Sequence, residues 1–282
     1  MSHGRRPAPV CLLAVTVLLA SAASGAEPTR VRPGTVLRWP GAEIEWCSVS
    51  GERTQPLDGA CLFPIDLLHK PGPLELTRRS GGRLERATLR VSRFDYPVQT
   101  LTLPSRMVDL SAADLARVRR ESRALARLWK PRGARRFSLP LSAPLDPLPE
   151  GGRFGHRRII NGSPRSPHGG ADYSVPEGTP VRAAADGTVV MVADLFFSGN
   201  SVFVDHGDGL VSQYFHLSRV DVREGEPIVR GARLGAVGAT GRATGPHLHF
   251  GLRFRGARVD PALLLAPAAM PCLASPAGLG CR

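Results

Sequence analysis

Several residue classes that common functions require are scarce in this 282-residue sequence. Aromatics make up only 6% of it, with no base-stacking or finger motif, so a nucleic-acid partner is not expected despite a net charge of +13. No two cysteines have the C-x-x-C spacing of a structural zinc cluster. The H-E-x-x-H signature of many zinc peptidases is also missing, and there is no internal repeat. One apolar run stands out, at positions 10–23, and its 14 residues fall short of the ~20 that a membrane-spanning helix needs.

That run follows Arg5 and Arg6 and precedes Ser24-Gly25-Ala26, a small-residue cleavage pattern. Residues 1–26 are therefore expected to be a secretory signal, with a retained anchor as the alternative. Cleavage would remove two arginines and no acids, taking +13 to +11. Export to the periplasm or beyond places Cys47, Cys61, Cys272 and Cys281 in an oxidising compartment, where an even number of cysteines pairs. Three pairings are open. The sequence-local one, Cys47–Cys61 and Cys272–Cys281, is preferred because each couple is close along the chain.

With 31 Gly and 26 Pro, the composition favours short strands and turns over a helical bundle, so the expected fold class is mainly β. Alternating pieces at 35–39, 43–46, 74–77 and 87–91 predict a small antiparallel β domain over residues 27–104. Ser111 then opens a helix, with Asp114 three residues on and a rough apolar stripe of Leu115, Val118, Leu125, Leu128 and Trp129 that ends at Pro131. Between Ser111 and Arg136 nine basic residues accompany two acids. Such a face is ordinarily just solvated; its sharper reading is a surface resting on an anionic envelope polymer or headgroup layer. Four prolines within 139–152 mark an extended linker, so 105–152 is a basic connecting helix followed by a Pro-rich connection. An antiparallel β-sheet unit over 153–265 follows, with strands predicted at 181–192, 201–205, 210–216, 233–237 and 247–254, and 266–282 is a cysteine-containing tail.

Six of the eight histidines lie between positions 156 and 249. His168-Gly169-Gly170-Ala171-Asp172 sets an imidazole and a carboxylate four residues apart, with two glycines expected to let the backbone curl so that both face one ion. His247-Leu248-His249 on a strand sends both imidazoles to one face, because side chains alternate with period two. Tyr214-Phe215-His216-Leu217-Ser218 ends a strand with a further imidazole. A lone histidine is more often hydrogen-bonded or on the surface than a ligand; several such patterns in one β domain point to a metal. His206 and Asp208 read as parts of a hairpin turn. His156 is placed either near the groove or on a surface loop, and Phe196-Phe197 is either a groove wall or a packing contact.

In this order the motifs resemble the M23 (LytM/lysostaphin-type) zinc metallopeptidases, which cut peptide bridges of peptidoglycan. The resemblance covers roughly residues 154–264. It rests on Phe154-Gly155 with Arg158, HGGAD at 168–172, PVRAAADGTV at 180–189, YFHLS at 214–218 and GRATGPHLHF at 241–250. It implies a C-terminal metallopeptidase domain in which His168, Asp172 and His249 bind Zn2+, His216 and His247 are catalytic, and peptidoglycan stems or cross-bridges are the substrate. Two neutral imidazoles and one carboxylate would leave zinc an open position for water. No glutamate adjoins either histidine motif, so His216 and His247, near an unperturbed ~6.5, are expected to manage the proton and the oxyanion, in roles the sequence leaves undivided. The alternative is a non-catalytic regulator of another cell-wall hydrolase, the role of family members that have lost ligands; here all five positions are filled.

Overall fold

The computed structural model describes Met1 and residues 29–129 and 133–273. Beyond Met1, the expected signal segment lies outside the described residues, as does Cys281. Among the described residues no helix is long and apolar enough to cross a membrane. The chain is mainly β.

In the N-terminal unit, Leu74, Leu76 and Arg78 turn inward along Gly72–Ser80, the period-two burial of a half-covered strand. Its sheet runs Thr29–Val31, Arg83–Val91, Gly72–Ser80, Ile44–Val49, Glu52–Thr54. The pairings are antiparallel except at one edge, where Thr29–Val31 lies parallel to Arg83–Val91. A ribbon of Val36–Pro40 and Ala60–Pro64 is joined to this sheet by the Cys47–Cys61 disulfide, one of the two sequence-local pairs. The disulfide is buried with Leu37, Phe63, Leu76 and Leu89. Cys272 is disulfide-bonded as well. Arg78 is also buried and is fully employed: it donates to the Pro40 carbonyl at 2.6 Å and twice to Glu85, at 3.1 and 2.7 Å. That pairing is what makes a buried charge tolerable.

The C-terminal unit is built on a sheet in the order Gly170–Tyr173, Leu248–Phe254, Leu210–Phe215, Gly199–Asp205, Gly187–Leu195, Pro227–Ile228, with Ala257–Val259 also paired to Leu248–Phe254. Pro180–Arg182, Arg233–Val237 and Leu217–Val220 form a second, smaller sheet. Leu248, Phe250, Leu252 and Phe254 of the first sheet share one core with Val181, Leu217 and Leu234 of the second. The single strand expected at 181–192 is thus two strands in different sheets. Ala183, Ala184 and Ala185 are buried at the break, and a Cβ at Gly187 would lie 2.6 Å from the Asp205 carbonyl oxygen. The chain crosses between sheets where only small side chains fit.

The Pro-rich segment expected as a linker has neither strand nor helix over most of its length, yet it is not a free tether. Phe137, Leu141 and Leu145 are 8%, 3% and 1% exposed and belong to the C-terminal unit's core. Leu141 N–H donates to the Leu264 carbonyl, and Ser142 N–H to that of Ala184. The N-terminal unit also lends a strand, since Val98–Leu101 pairs in parallel with Arg157–Ile160.

Ser111 caps the helix Ala112–Ala126, its Oγ accepting the Asp114 N–H at 3.1 Å. The 3-10 turn that follows carries Leu128 into a cluster with Leu195, Phe203 and Val211. Trp129, Phe203, Phe215 and His249 make successive ring contacts at 6.2, 5.3 and 5.0 Å. The helix end therefore buttresses the sheet face that carries the histidines. On its outer side Arg119, Arg120 and Arg123 are exposed.

Candidate metal centre

Strand register brings the site together. Asp172 and His249 are direct partners on neighbouring antiparallel strands, and Phe215 is the partner of His249 on its other side. The Phe215 ring lies flat on the His249 imidazole, 5.0 Å away and tilted by only 2°. His168 comes in just before the Gly170–Tyr173 strand and is fully buried. The two glycines behind it do not curl the backbone as expected, since neither has a positive φ. Gly170 is required for a different reason: a Cβ there would sit 2.6 Å from His249 Nε2.

His168 Nδ1 lies 2.9 Å from the Arg153 carbonyl oxygen. A carbonyl only accepts, so Nδ1 carries the proton and a neutral ring presents a bare Nε2 lone pair. Burial pushes His168 down to about 4, against the opposing pull of Asp172, and keeps it neutral. Its Nε2 is 2.8 Å from Asp172 Oδ1 and 2.9 Å from His249 Nδ1, and the latter two are also 2.8 Å apart. With His168 neutral and Asp172 ionised, these three electron-rich atoms share at most one proton, on His249. A divalent cation fits that deficit, and the three residues are close enough to grip a single ion. For Asp172, burial acts to raise the carboxyl but is outweighed by the contacts with His168 and His249, which hold it well below the ordinary carboxylate range.

His216 and His247 stand beside this triangle with ring centroids 4.6 Å apart. His216 has left the strand predicted to contain it and takes a left-handed φ of 63°, a conformation that costs a non-glycine residue roughly 1–2 kcal/mol. Its Nδ1 donates to the Thr240 carbonyl at 2.8 Å. His247 precedes the strand Leu248–Phe254, bridged to Gly238. Its Nδ1 donates to the Gly245 carbonyl at 2.8 Å, and its Nε2 lies 3.9 Å from Asp172 Oδ1. The ordinary imidazole value expected for His216 is corrected: burial first, then the charge of His249, push it down to about 3. It is a neutral acceptor across the physiological range.

All five residues line or adjoin one cleft of about 300 Å³, with Gln99, Leu101 and Leu103 from the N-terminal unit as one wall. Phe197 lines the cleft, whereas the Phe196 N–H donates to Glu121 of the helix at 3.0 Å, so the two phenylalanines divide the roles left open by sequence. His156 is not in the lining; its backbone pairs with that of His168. Sequence reasoning missed the carbonyls of Arg153, Thr240 and Gly245, which orient the histidines. A backbone carbonyl carries no residue-type signal.

His206 belongs to the scaffold. It is fully buried between the Asp186 carbonyl and Ser212 Oγ, both at 2.7 Å. Burial lowers it to about 4 despite the hydrogen bond to Asp186, with Asp205 and Asp186 favouring its charge and Arg136 opposing it. Between pH ~6.5 and ~4 the unfolded chain binds a proton that the folded chain refuses, so stability is complete above ~6.5 and falls as the pH drops through that window. The loss is on the order of 3 kcal/mol. Melting curves from pH 7.5 to 4.5 should show the decline, and His206→Gln should make it shallower, with His168 and His216 supplying the remainder; an unchanged acid slope would refute the assignment.

Comparison with known proteins agrees with this geometry. The profile of peptidase family M23 matches residues 166–261. Peptidoglycan DD-endopeptidase ShyA of Vibrio cholerae is 45% identical over 95 residues, 34% of this chain and 22% of that protein. DD-carboxypeptidase/endopeptidase Mpg of Neisseria meningitidis is 45% identical over 101 residues, 36% of this chain and 23% of that protein. The chain thus spans less than a quarter of the length of these two relatives. A Pseudomonas aeruginosa protein whose crystal structure is described as a candidate peptidase M23 is 33% identical, with a TM-score of 0.62 over 85% of this chain and 96% of that one. Matched at that identity over nearly the whole of a solved relative, and carrying the family's motifs around one metal-ready triangle, the chain belongs to peptidase family M23.

Proposed function

We propose that the protein is a zinc-dependent endopeptidase that hydrolyses peptide cross-links of bacterial peptidoglycan. The observation that carries this reading is the proton-poor triangle of His168, Asp172 and His249 with the imidazoles of His216 and His247 beside it. The names of the ShyA and Mpg relatives support the substrate class. Two nitrogens and one carboxylate oxygen suit zinc and leave a position open. Zinc held there would supply a Lewis acid that lowers the pKa of water towards ~7 and polarises the scissile carbonyl.

The chain's own groups do the rest. Asp172 supplies the negative charge that draws the cation, and Phe215 fixes the plane of the His249 ring. Because the Nδ1 protons of His216 and His247 are committed to carbonyls, each ring keeps Nε2 as its acceptor, and both residues line the cleft. There the pair can accept the nucleophile's proton, return it to the leaving amine and steady the oxyanion. His216→Ala and His247→Ala should each retain one equivalent of zinc and lose about 10²–10⁴-fold in rate. Chelator-sensitive release of soluble fragments from sacculi is the assay, and wild-type turnover in either variant removes that residue's role. Zinc binding without turnover, together with stimulation of a separate hydrolase, would indicate a regulator instead. Export is part of the proposal, supported by the Cys47–Cys61 disulfide; fractionation that finds the protein in the cytosol would remove it.

A further inference from the structure

The cleft beside the metal centre holds more positive charge than its own residues neutralise. Arg153, Arg158 and Arg242 line it, and Asp172 is the one acidic residue among the lining. Asp172 is already engaged by two imidazoles at 2.8 Å, and the nearest Arg158 nitrogen stands 3.6 Å from its second oxygen. Arg158 Nε is buried without a hydrogen-bond partner. Arg242 is kept in the wall because its guanidinium lies 4.2 Å over the Phe197 ring; among the described residues it has no carboxylate partner. Burial, then the charges of Arg158 and Arg165, lower the Arg242 guanidinium from its ordinary value. Converging like charges in the wall of one cleft are relieved by one incoming anion.

The geometry points to a carboxylate-binding subsite formed by Arg158 and Arg242, which selects peptides carrying a free carboxylate close to the scissile amide. It rests on the peptidase reading above and adds which peptides that reading favours. A guanidinium offers a planar fork that matches a carboxylate, and Phe197 beneath Arg242 restricts its orientation. A neutral amide in the same place leaves the arginines unpaired, so rejection adds to attraction.

Three cross-linked peptides of one sequence test the subsite: one with both carboxylates free, one amidated at the terminal α-carboxyl and one amidated at the side-chain carboxyl. With the zinc-loaded full chain, one of the two amides should lose about tenfold or more in kcat/KM, mainly through KM, and its identity names the carboxylate that is read. Arg242→Gln should bring that ratio to within about twofold of unity with zinc content unchanged, and Arg242→Lys should keep part of it. Calorimetric binding of the same peptides to the zinc-loaded His247→Ala protein should rank them identically. If no peptide is cleaved but the ranking holds, the peptidase reading fails and the subsite stands. Equal affinity for acid and amides, or an Arg242→Gln protein that keeps the wild-type ratio, overturns the subsite.

Discussion

On the zinc-peptidase reading proposed above, Asp172→Ala should lose metal and hydrolytic activity together. Asp172 Oδ1 is the one anionic atom in the triangle, 2.8 Å from both imidazole nitrogens. Without it two neutral nitrogens face a dication with no charge to balance it, and Arg158 nearby repels the ion. Zinc content should fall from one equivalent to a small fraction at micromolar zinc, and the rate by more than about a thousandfold. Asp172→Asn, which keeps an oxygen but no charge, should lie between. The variant should still fold: Asp172 sits on the edge strand of its sheet, whose ladder to Leu248–Phe254 is made by the backbone. Metal analysis and sacculus hydrolysis, with melting of the metal-free forms as control, decide it. Wild-type zinc content in a folded Asp172→Ala protein would remove this residue from the ligand set.

The second large effect concerns the region before the peptidase unit. A fragment beginning at Gly151 should not yield a stable, active enzyme. It lacks Phe137, Leu141 and Leu145, which fill the core shared with Ala171 and Leu248. Each such loss costs about 2–5 kcal/mol, and three together rival the ~5–15 kcal/mol that holds a domain folded. The fragment also lacks Gln99, Leu101 and Leu103, one wall of the cleft. An inhibitory N-terminal unit predicts the opposite, a fragment more active than the full chain. Circular dichroism melts and hydrolysis rates per folded molecule separate the two.

The histidine motifs are readable because chemistry confines them to few residue types, and the strand expected at 247–254 is present from Leu248 to Phe254. Long-range register was not readable. Nothing local in Val98–Leu101 says that it will lie parallel to Arg157–Ile160, nearly sixty positions on. The Pro-rich segment misled by composition: prolines signal an extended chain, and the chain is extended, but Phe137, Leu141 and Leu145 between them decide that it packs. Gly170 marks a close approach between strands, which leaves the same trace in sequence as a turn. The lowering of His216 is not legible in sequence, because burial is a tertiary property that no neighbouring letter records.

Three of the site histidines, His168, His216 and His247, are aimed by main-chain oxygens, those of Arg153, Thr240 and Gly245. No exchange of side chains at those three positions can delete the aiming atom itself. A change in the number of residues, such as one inserted or deleted between Gly238 and His247, would turn the rings away. The loop is therefore bound to keep its length.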